Sequence, residues 1–336
     1  MLHDQFFSLV SCGFSSTCSV PPHPSPALRS SIKRIHLSRL CARLCTPRAI
    51  AVSLRGALLA AMGGAFSSEP WREVTKGYQD NLDFVKSYKP RKPQVKRLRI
   101  LVHGPVGAGK SSFINSVESA LRHRIAVPAQ TDATSGSSFT QEYTAHEIRK
   151  DDQSCYSFIF NDIMGLEEKT NKGVKVDDLK LALKGHVSDG YTFNPEVQLK
   201  ANDKYYNSSP TLEDRVHVLV SVVPAGSVSI LSDGVVKKMR EVRMAASEMG
   251  IPQLAILTKV DEAFPEVKQN MDKVYKNRNL KEQVDKFSVL LGLSPNCIFL
   301  VRNYHEEIHT NEDMNALILS AVKQMICFGD DFVNKQ

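Results

Sequence analysis

The chain has 336 residues, 42% of them hydrophobic, which is enough apolar side chain for one substantial core with some chain left over. Its net charge of +7 is unevenly spread: residues 1–68 hold seven Lys or Arg against the single acid Asp4, leaving 36 basic and 35 acidic side chains in the rest. A nearly neutral body gives no electrostatic reason to expect a nucleic-acid partner, and no apolar run approaches the ~20 residues that cross a bilayer.

Cysteine usage follows the same division. Cys12, Cys18, Cys41 and Cys45 lie in the first 68 residues, while Cys155, Cys297 and Cys327 are scattered through the body. None has metal-site spacing, and a reducing, cytoplasmic compartment is the expectation.

Residues 1–68 read as a basic, disordered leader, rich in Ser, Pro and Arg and almost free of acids. Ile32, Ile35, Leu40 and Leu44 fall near helical spacing among arginines, a profile shared by transit peptides, by disordered basic extensions and by upstream stretches absent from the usual product. A secretory signal is disfavoured, because no basic residue precedes the short apolar run at 6–10. Met62-Gly63-Gly64-Ala65-Phe66-Ser67 fits M-G-x-x-x-[ST], so Gly63 becomes a myristoylation acceptor if translation starts at Met62. A single acyl chain would give at most weak membrane association.

Residues 69–96 form a linker with a short helix, marked by Trp71, Leu82, Phe84, Val85 and Tyr88 and stopped by Lys89-Pro90-Arg91-Lys92-Pro93. The main domain is expected over 97–330, with a tail at 331–336. It opens on a short β-branched run at 98–102, a buried strand. Gly104-Pro105-Val106-Gly107-Ala108-Gly109-Lys110-Ser111 then fits G-x-x-x-x-G-K-[ST], a phosphate-binding loop, and Ser112 continues into a helix over 111–121. Glycines let backbone N–H groups close on phosphate oxygens; Lys110 would reach the β- and γ-phosphates, and the Ser111 hydroxyl would ligate Mg²⁺. The dinucleotide fingerprint fails, because it needs glycine where Ser112 stands.

Ala129 to Thr140 is polar and aperiodic, hence a loop. Its position is where nucleotide switches carry a threonine that senses Mg²⁺ and the γ-phosphate. Thr131 and Thr134 both qualify, with Thr134 preferred. A weakly alternating strand is expected over 142–148 and a stronger one over 156–162. Asp162-Ile163-Met164-Gly165 at its end reads as D-x-x-G, the Asp holding Mg²⁺ through water and the Gly165 N–H facing the γ-phosphate. Small signalling GTPases place a water-orienting Gln next. Here that position is Leu166, so hydrolysis should be slow or depend on a group from elsewhere, such as a second protomer docked on the nucleotide face.

A helix is expected over 176–184, a long polar stretch over 188–210, a central strand over 216–223, a helix over 237–249 and a buried strand over 253–257. Thr258-Lys259-Val260-Asp261 then fits [NT]-K-x-D. The Asp261 carboxylate would accept the N1–H and exocyclic N–H of guanine, a donor pair adenine lacks, while the Lys259 stem lies along the base and Thr258 braces the loop. Helices over 266–275 and 280–290 follow, then a last strand over 297–301. It delivers Asn303, whose backbone N–H is placed to contact guanine O6, and Tyr304, placed against the base edge. A helix over 314–326 closes the chain.

These motifs together resemble the interferon-induced protein 44 and 44-like family, from Pro70-Trp71-Arg72-Glu73 to about Phe328. The most specific marks are the run from His103 through Lys110-Ser111-Ser112-Phe113-Ile114-Asn115-Ser116 and the run Asn303-Tyr304-His305-Glu306-Glu307. The resemblance implies a cytoplasmic, interferon-responsive protein with a GTP-binding domain and antiviral roles, and no assigned catalytic residue. Residues 1–68 are not the extra N-terminal domain of family members. The expected fold is a three-layer α/β P-loop domain, G-domain-like, with a mainly parallel sheet. The expected ligands are GTP or GDP with Mg²⁺. The leading function is guanine-nucleotide binding in innate immunity with slow GTP hydrolysis. The alternative is a non-hydrolysing scaffold, stabilised by nucleotide, whose 188–210 segment recruits partners.

Overall fold

Among the described residues six short strands form one sheet in the order β2-β3-β1-β4-β5-β6, of which only β2 runs antiparallel to its neighbour. The computed structural model describes residues 66–74, 77–129, 141–151, 153–168 and 172–336. The strands are β1 (Leu98–His103), β2 (Thr144–Arg149), β3 (Cys155–Asp162), β4 (Val218–Pro224), β5 (Gln253–Thr258) and β6 (Ile298–Leu300). β1, β4 and β5 are buried along nearly their whole length. Their continuous apolar runs are therefore a consequence of position, since a parallel strand between two helical layers has no solvent face to keep polar. β2 is half exposed and lies at the edge, which accounts for its weak alternation.

The helices are α1 (Tyr78–Ser87), α2 (Lys110–Arg122), α3 (Val176–Leu183), α4 (Asp233–Glu248), the single turn α5 (Val260–Ala263), α6 (Arg278–Leu291) and α7 (Glu312–Lys335). They pack as two sets, α1, α2 and α7 in one and α3, α4 and α6 in the other. The expected α/β architecture with a mainly parallel sheet is the one observed. Crossing from β1 the chain goes first to β3 on one side and later to β4 on the other, so the sheet order reverses around β1. In open α/β sheets the crevice outside the carboxyl ends at such a reversal is where ligands bind.

Several elements depart from expectation. The helix expected over 266–275 is a pair of 3-10 turns, Pro265–Val267 and Met271–Lys276. Asn270 is extended (φ −150°), so the ladder cannot run through, although Val267, Met271, Val274 and Tyr275 still reach the core. Residues 314–326 are only part of α7, which starts at Glu312 behind an Asn311 cap and continues to Lys335. Gly329 allows that continuation: a Cβ there would lie 2.8 Å from Val218 Cγ2 and 3.2 Å from Leu98 Cδ1, so the helix rests directly on β1 and β4. α4 begins at Asp233, earlier than expected, because the Ser232 side chain caps it.

The polar stretch 188–210 is anchored. Tyr191, Phe193 and Leu199 are buried in it, and the Asp178 carboxylate on α3 accepts from the Leu199 N–H (2.9 Å) and the Tyr191 hydroxyl (3.3 Å). Trp71 packs edge-on against Tyr275 at 4.8 Å, and Arg72 donates to the Ile298 carbonyl at 2.6 Å, which fastens the segment before α1 to the β6 end of the sheet.

Candidate functional site

Four expected motifs converge at the carboxyl ends of β1, β3, β5 and β6. The phosphate loop begins where β1 ends, and its first glycine admits no side chain. Gly104 has φ +151°, and a Cβ there would fall 2.0 Å from the Val222 carbonyl oxygen of β4. The loop thus turns in contact with the neighbouring strand, and Lys110 opens α2.

Lys110 is 7% exposed. Its Nζ reaches the carbonyls of Pro105 at 3.3 Å and Gly104 at 3.5 Å. Burial lowers its pKa, opposed by the nearby Asp162 charge. Among the described residues its hydrogen-bond acceptors are carbonyl oxygens, and the nearby Asp162 charge offsets its burial only in part, so an anionic ligand would complete it. His103, just before the loop, is fully buried with its pKa pushed down to about 3, by burial first and then by the Lys110 charge. It stays neutral beside the lysine, with Nε2 2.9 Å from Ser221 Oγ.

Ser111 Oγ donates to Asp162 Oδ2, and Asp162, 1% exposed, accepts its own following N–H at Ile163 through Oδ1 (2.9 Å). The hydroxyl and carboxylate expected at Mg²⁺ are therefore adjacent. Among the described residues no cluster of three or more His, Cys, Asp or Glu could hold a metal. A phosphate-dependent Mg²⁺ needs none, since one or two protein oxygens and the phosphates suffice.

The D-x-x-G loop lies directly on the phosphate loop. Leu166 N–H donates to Gly104 O at 2.9 Å, and Val106 N–H donates to Leu166 O at 3.3 Å. A Cβ on Gly165 would meet Val106 Cγ2 at 2.6 Å and its N at 2.9 Å, so only glycine allows this approach. Leu166 itself is 1% exposed. Lys238 Nζ, on α4, holds the Glu167 carbonyl at 2.6 Å.

At the other end, Thr258 Oγ1 donates to Ala108 O at 2.6 Å, and Asn303 Nδ2 donates to Gly109 O at 3.1 Å. Both loops expected around a base are thus bonded to the phosphate loop itself. Lys259 takes a left-handed conformation (φ 56°), with its side chain 39% exposed and Nζ 3.3 Å from Glu262 Oε2. Asn303 Oδ1 is buried, with no hydrogen-bond partner among the described residues. Asp261 Oδ2 lies 3.2 Å from Arg302 Nε.

Tyr304 does not take the place expected for it. It is 8% exposed, its N–H donates to Ser116 Oγ (2.9 Å) and its hydroxyl donates to Asn315 Oδ1 (2.7 Å) and receives the Asn311 N–H (2.7 Å), so it ties the loop to α2 and α7 and turns away from a base edge. Thr131, Thr134 and Gly63 lie outside the described residues. Sequence reasoning missed the Arg302–Asp261 pair and the Leu166 bonds to the phosphate loop. The bonds of Leu166 are main-chain and leave no trace in residue type. Arg302 was visible as a lone cation beside the expected base loop, but nothing local says which acid it meets.

No family model matches the chain. Interferon-induced protein 44 of Mus musculus is 34% identical over 267 residues, covering 78% of this chain and 62% of that protein. The Homo sapiens protein of that name is 32% identical, covering 75% of this chain and 56% of its own length. Interferon-induced protein 44-like of Homo sapiens is 31% identical, covering 77% and 61%. The chain thus spans less than two thirds of the curated relatives it matches. Among solved structures, Toc33 from Arabidopsis thaliana in complex with GDP and Mg²⁺ aligns at 14% identity and a TM-score of 0.42, covering 78% of this chain and 93% of that one. The same protein with Mg²⁺ and GMPPNP aligns at 17% and 0.40, covering 78% and 94%.

Proposed function

We propose that this chain, a homologue of interferon-induced protein 44 and 44-like over about three quarters of its length, binds guanine nucleoside di- and triphosphates with Mg²⁺. The observation that carries the reading is the buried Lys110 ammonium at the mouth of a glycine loop, whose hydrogen bonds among the described residues go to the Gly104 and Pro105 carbonyls. A polyphosphate would give this ammonium a directly bonded anion in addition to the nearby Asp162 charge, with the loop N–H groups and the α2 N-terminus adding to its binding. Ser111 and Asp162 fit a Mg²⁺ that bridges phosphate oxygens, where the ion would neutralise charge between the β- and γ-phosphates. At the far end Asp261 selects guanine, because an unpaired carboxylate against adenine loses its hydrogen bonds. Thr258 and Asn303 hold the base loops at a fixed reach from the phosphate loop.

Hydrolysis in this reading is slow. Leucine cannot orient water, and Leu166 is buried with both main-chain groups engaged by the phosphate loop. A second copy docked on the nucleotide face is the proposed source of an additional group. By the relatives' names the protein acts in the interferon response, and we place it in the cytoplasm as an antiviral factor. Among the described residues no helix is long and apolar enough to cross a membrane.

The buried Leu166 also favours a second reading, a scaffold whose nucleotide stabilises the fold and is not hydrolysed. Titration with GTP, GDP and ATP followed by a phosphate-release assay separates the two. Guanine preference lost in Asp261→Asn supports the site, and equal affinity for guanine and adenine nucleotides overturns it. Phosphate release abolished by Lys110→Ala marks an enzyme, whereas tight GTP binding without release marks the scaffold.

A further inference from the structure

We infer that Arg302 is the positioning residue for the base-reading carboxylate of Asp261, so that guanine selectivity depends on it. The inference rests on the proposed nucleotide site and adds a residue outside the phosphate-loop, D-x-x-G and [NT]-K-x-D motifs.

Arg302 lies two residues past Leu300, the end of β6, and is 14% exposed in its side chain. Its guanidinium is held on three sides. Nε lies 3.2 Å from Asp261 Oδ2, Nη1 donates to the Lys268 carbonyl at 3.2 Å, and Nη2 pairs with Glu307 Oε1. Glu307 is itself fixed, since Oε2 accepts the N–H groups of His305 (2.9 Å) and Glu306 (3.2 Å). The chain backbone–Glu307–Arg302–Asp261 therefore ends on a carboxylate only 17% exposed.

A carboxylate that reads guanine must present both oxygens in the plane of the base, one to N1–H and one to the exocyclic amine. Free rotation of the side chain would waste that geometry. The ion pair holds Oδ2 beside a guanidinium that is itself anchored by the Lys268 carbonyl and Glu307, a fixed position that a lysine ammonium, a point charge on a flexible stem, would not keep. Each carboxylate oxygen has two lone pairs, so Oδ2 keeps capacity for a base N–H while Arg302 occupies its other side. The cation also offsets the desolvation of Asp261 when a base covers it.

The test uses the full chain and measures affinity for GDP, IDP and ADP, with thermal midpoints recorded for every variant. IDP lacks the exocyclic amine and so makes one bond to the carboxylate where GDP makes two. Arg302→Ala is expected to weaken GDP by about tenfold to a hundredfold, the range for a hydrogen bond to a charged group, with a smaller loss for IDP and an unchanged affinity for ADP. Arg302→Lys should recover part of the GDP affinity but not the GDP-to-IDP ratio, and Glu307→Gln should reduce that ratio less than Arg302→Ala. Equal weakening of all three nucleotides would mean a structural role and overturns the inference. So does tighter GDP binding in Arg302→Ala, the outcome if Arg302 competes with the base for Asp261. A wild-type protein with no preference for GDP over ADP overturns the reading of the site itself. A preserved preference with an unmoved GDP-to-IDP ratio in Arg302→Ala overturns only the role of Arg302.

Discussion

Gly104→Ala and Gly107→Ala place the same methyl group in the same loop, yet they should differ severalfold in cost. At Gly104 the new Cβ lies 2.0 Å from Val222 O, 3.0 Å from its carbonyl carbon and 3.3 Å from its nitrogen. Those atoms are backbone of β4, which is itself in register with β5 through Val222 and Ile256, so they cannot turn aside as a side chain would. Relief requires parting β1 from β4 by about an ångström where the site is built, in addition to a φ of +151° that alanine resists. Backbone strain of roughly 1–3 kcal/mol plus overlap in a close-packed sheet puts the loss at about 3–5 kcal/mol. At Gly107, φ is +71° and nothing lies within 4 Å of the Cβ. The left-handed conformation costs alanine about 1–2 kcal/mol, and a stiffer unfolded chain returns about 0.4–1 kcal/mol, for a net loss near 1 kcal/mol. Urea denaturation without nucleotide, followed through the single Trp71 beside Tyr275, measures both. For a domain of this size each kcal/mol moves the thermal midpoint by about 2–4 °C, so Gly104→Ala should melt roughly 6–20 °C lower. Equal losses in the two variants, or a Gly104→Ala protein within about 1 kcal/mol of wild type, would refute the close approach of loop to strand.

Thr258→Val removes the hydroxyl that donates to Ala108 O at 2.6 Å and leaves a buried carbonyl unpaired, a loss of about 1–3 kcal/mol that Thr258→Ser should restore. Nucleotide affinity should fall for guanine and adenine alike, as seen by calorimetric titration, because this bond holds the phosphate loop. Lys110→Met should raise the urea midpoint of the nucleotide-free protein by relieving a buried ammonium. It should also abolish the stabilisation by nucleotide, which reaches about 2.7 kcal/mol at a hundredfold excess over Kd in a competent protein. The buried His217 has its pKa lowered to about 4, chiefly by burial; Nδ1 accepts the Arg99 N–H (2.8 Å) and Nε2 lies 2.8 Å from Leu212 O. Below an unfolded-state pKa of about 6.5 the unfolded chain takes up the proton first, so stability falls as pH drops from there to about 4. Stability measured by denaturation across that window should decline less steeply in His217→Gln, by about 1.4 kcal/mol per pH unit. Identical slopes would show that His217 is protonated while folded.

Local sequence was informative wherever chemistry sits in consecutive residues. The strand–loop–helix from Leu98 to Arg122 could be written down from β-branched run, glycine spacing and helix period alone, and β1 and α2 lie where those signals put them. The Thr258–Asp261 tetrapeptide was placed at a strand end for the same reason. Tyr304 was misplaced because an aromatic beside the base loop has no local signal saying whether it faces ligand or core; its three hydroxyl and backbone partners come from α2 and from Asn311 and Asn315. The 266–275 segment kept its buried pattern but lost its helix, since the extended Asn270 interrupts the backbone ladder while the apolar spacing governs only burial.

By itself the amino-acid order determined the fold class and the types of group available for phosphate, metal and base, because backbone preference and side-chain chemistry act over a few residues. Only the tertiary structure decided which of them meet. Leu166 bonds to Gly104 and Val106, Asn303 to Gly109 and Arg302 to Asp261 across separations of 41 to 194 residues, set by strand order and register. Such contacts depend on where loops leave the sheet, a property of the packed layers that no short window of residues contains.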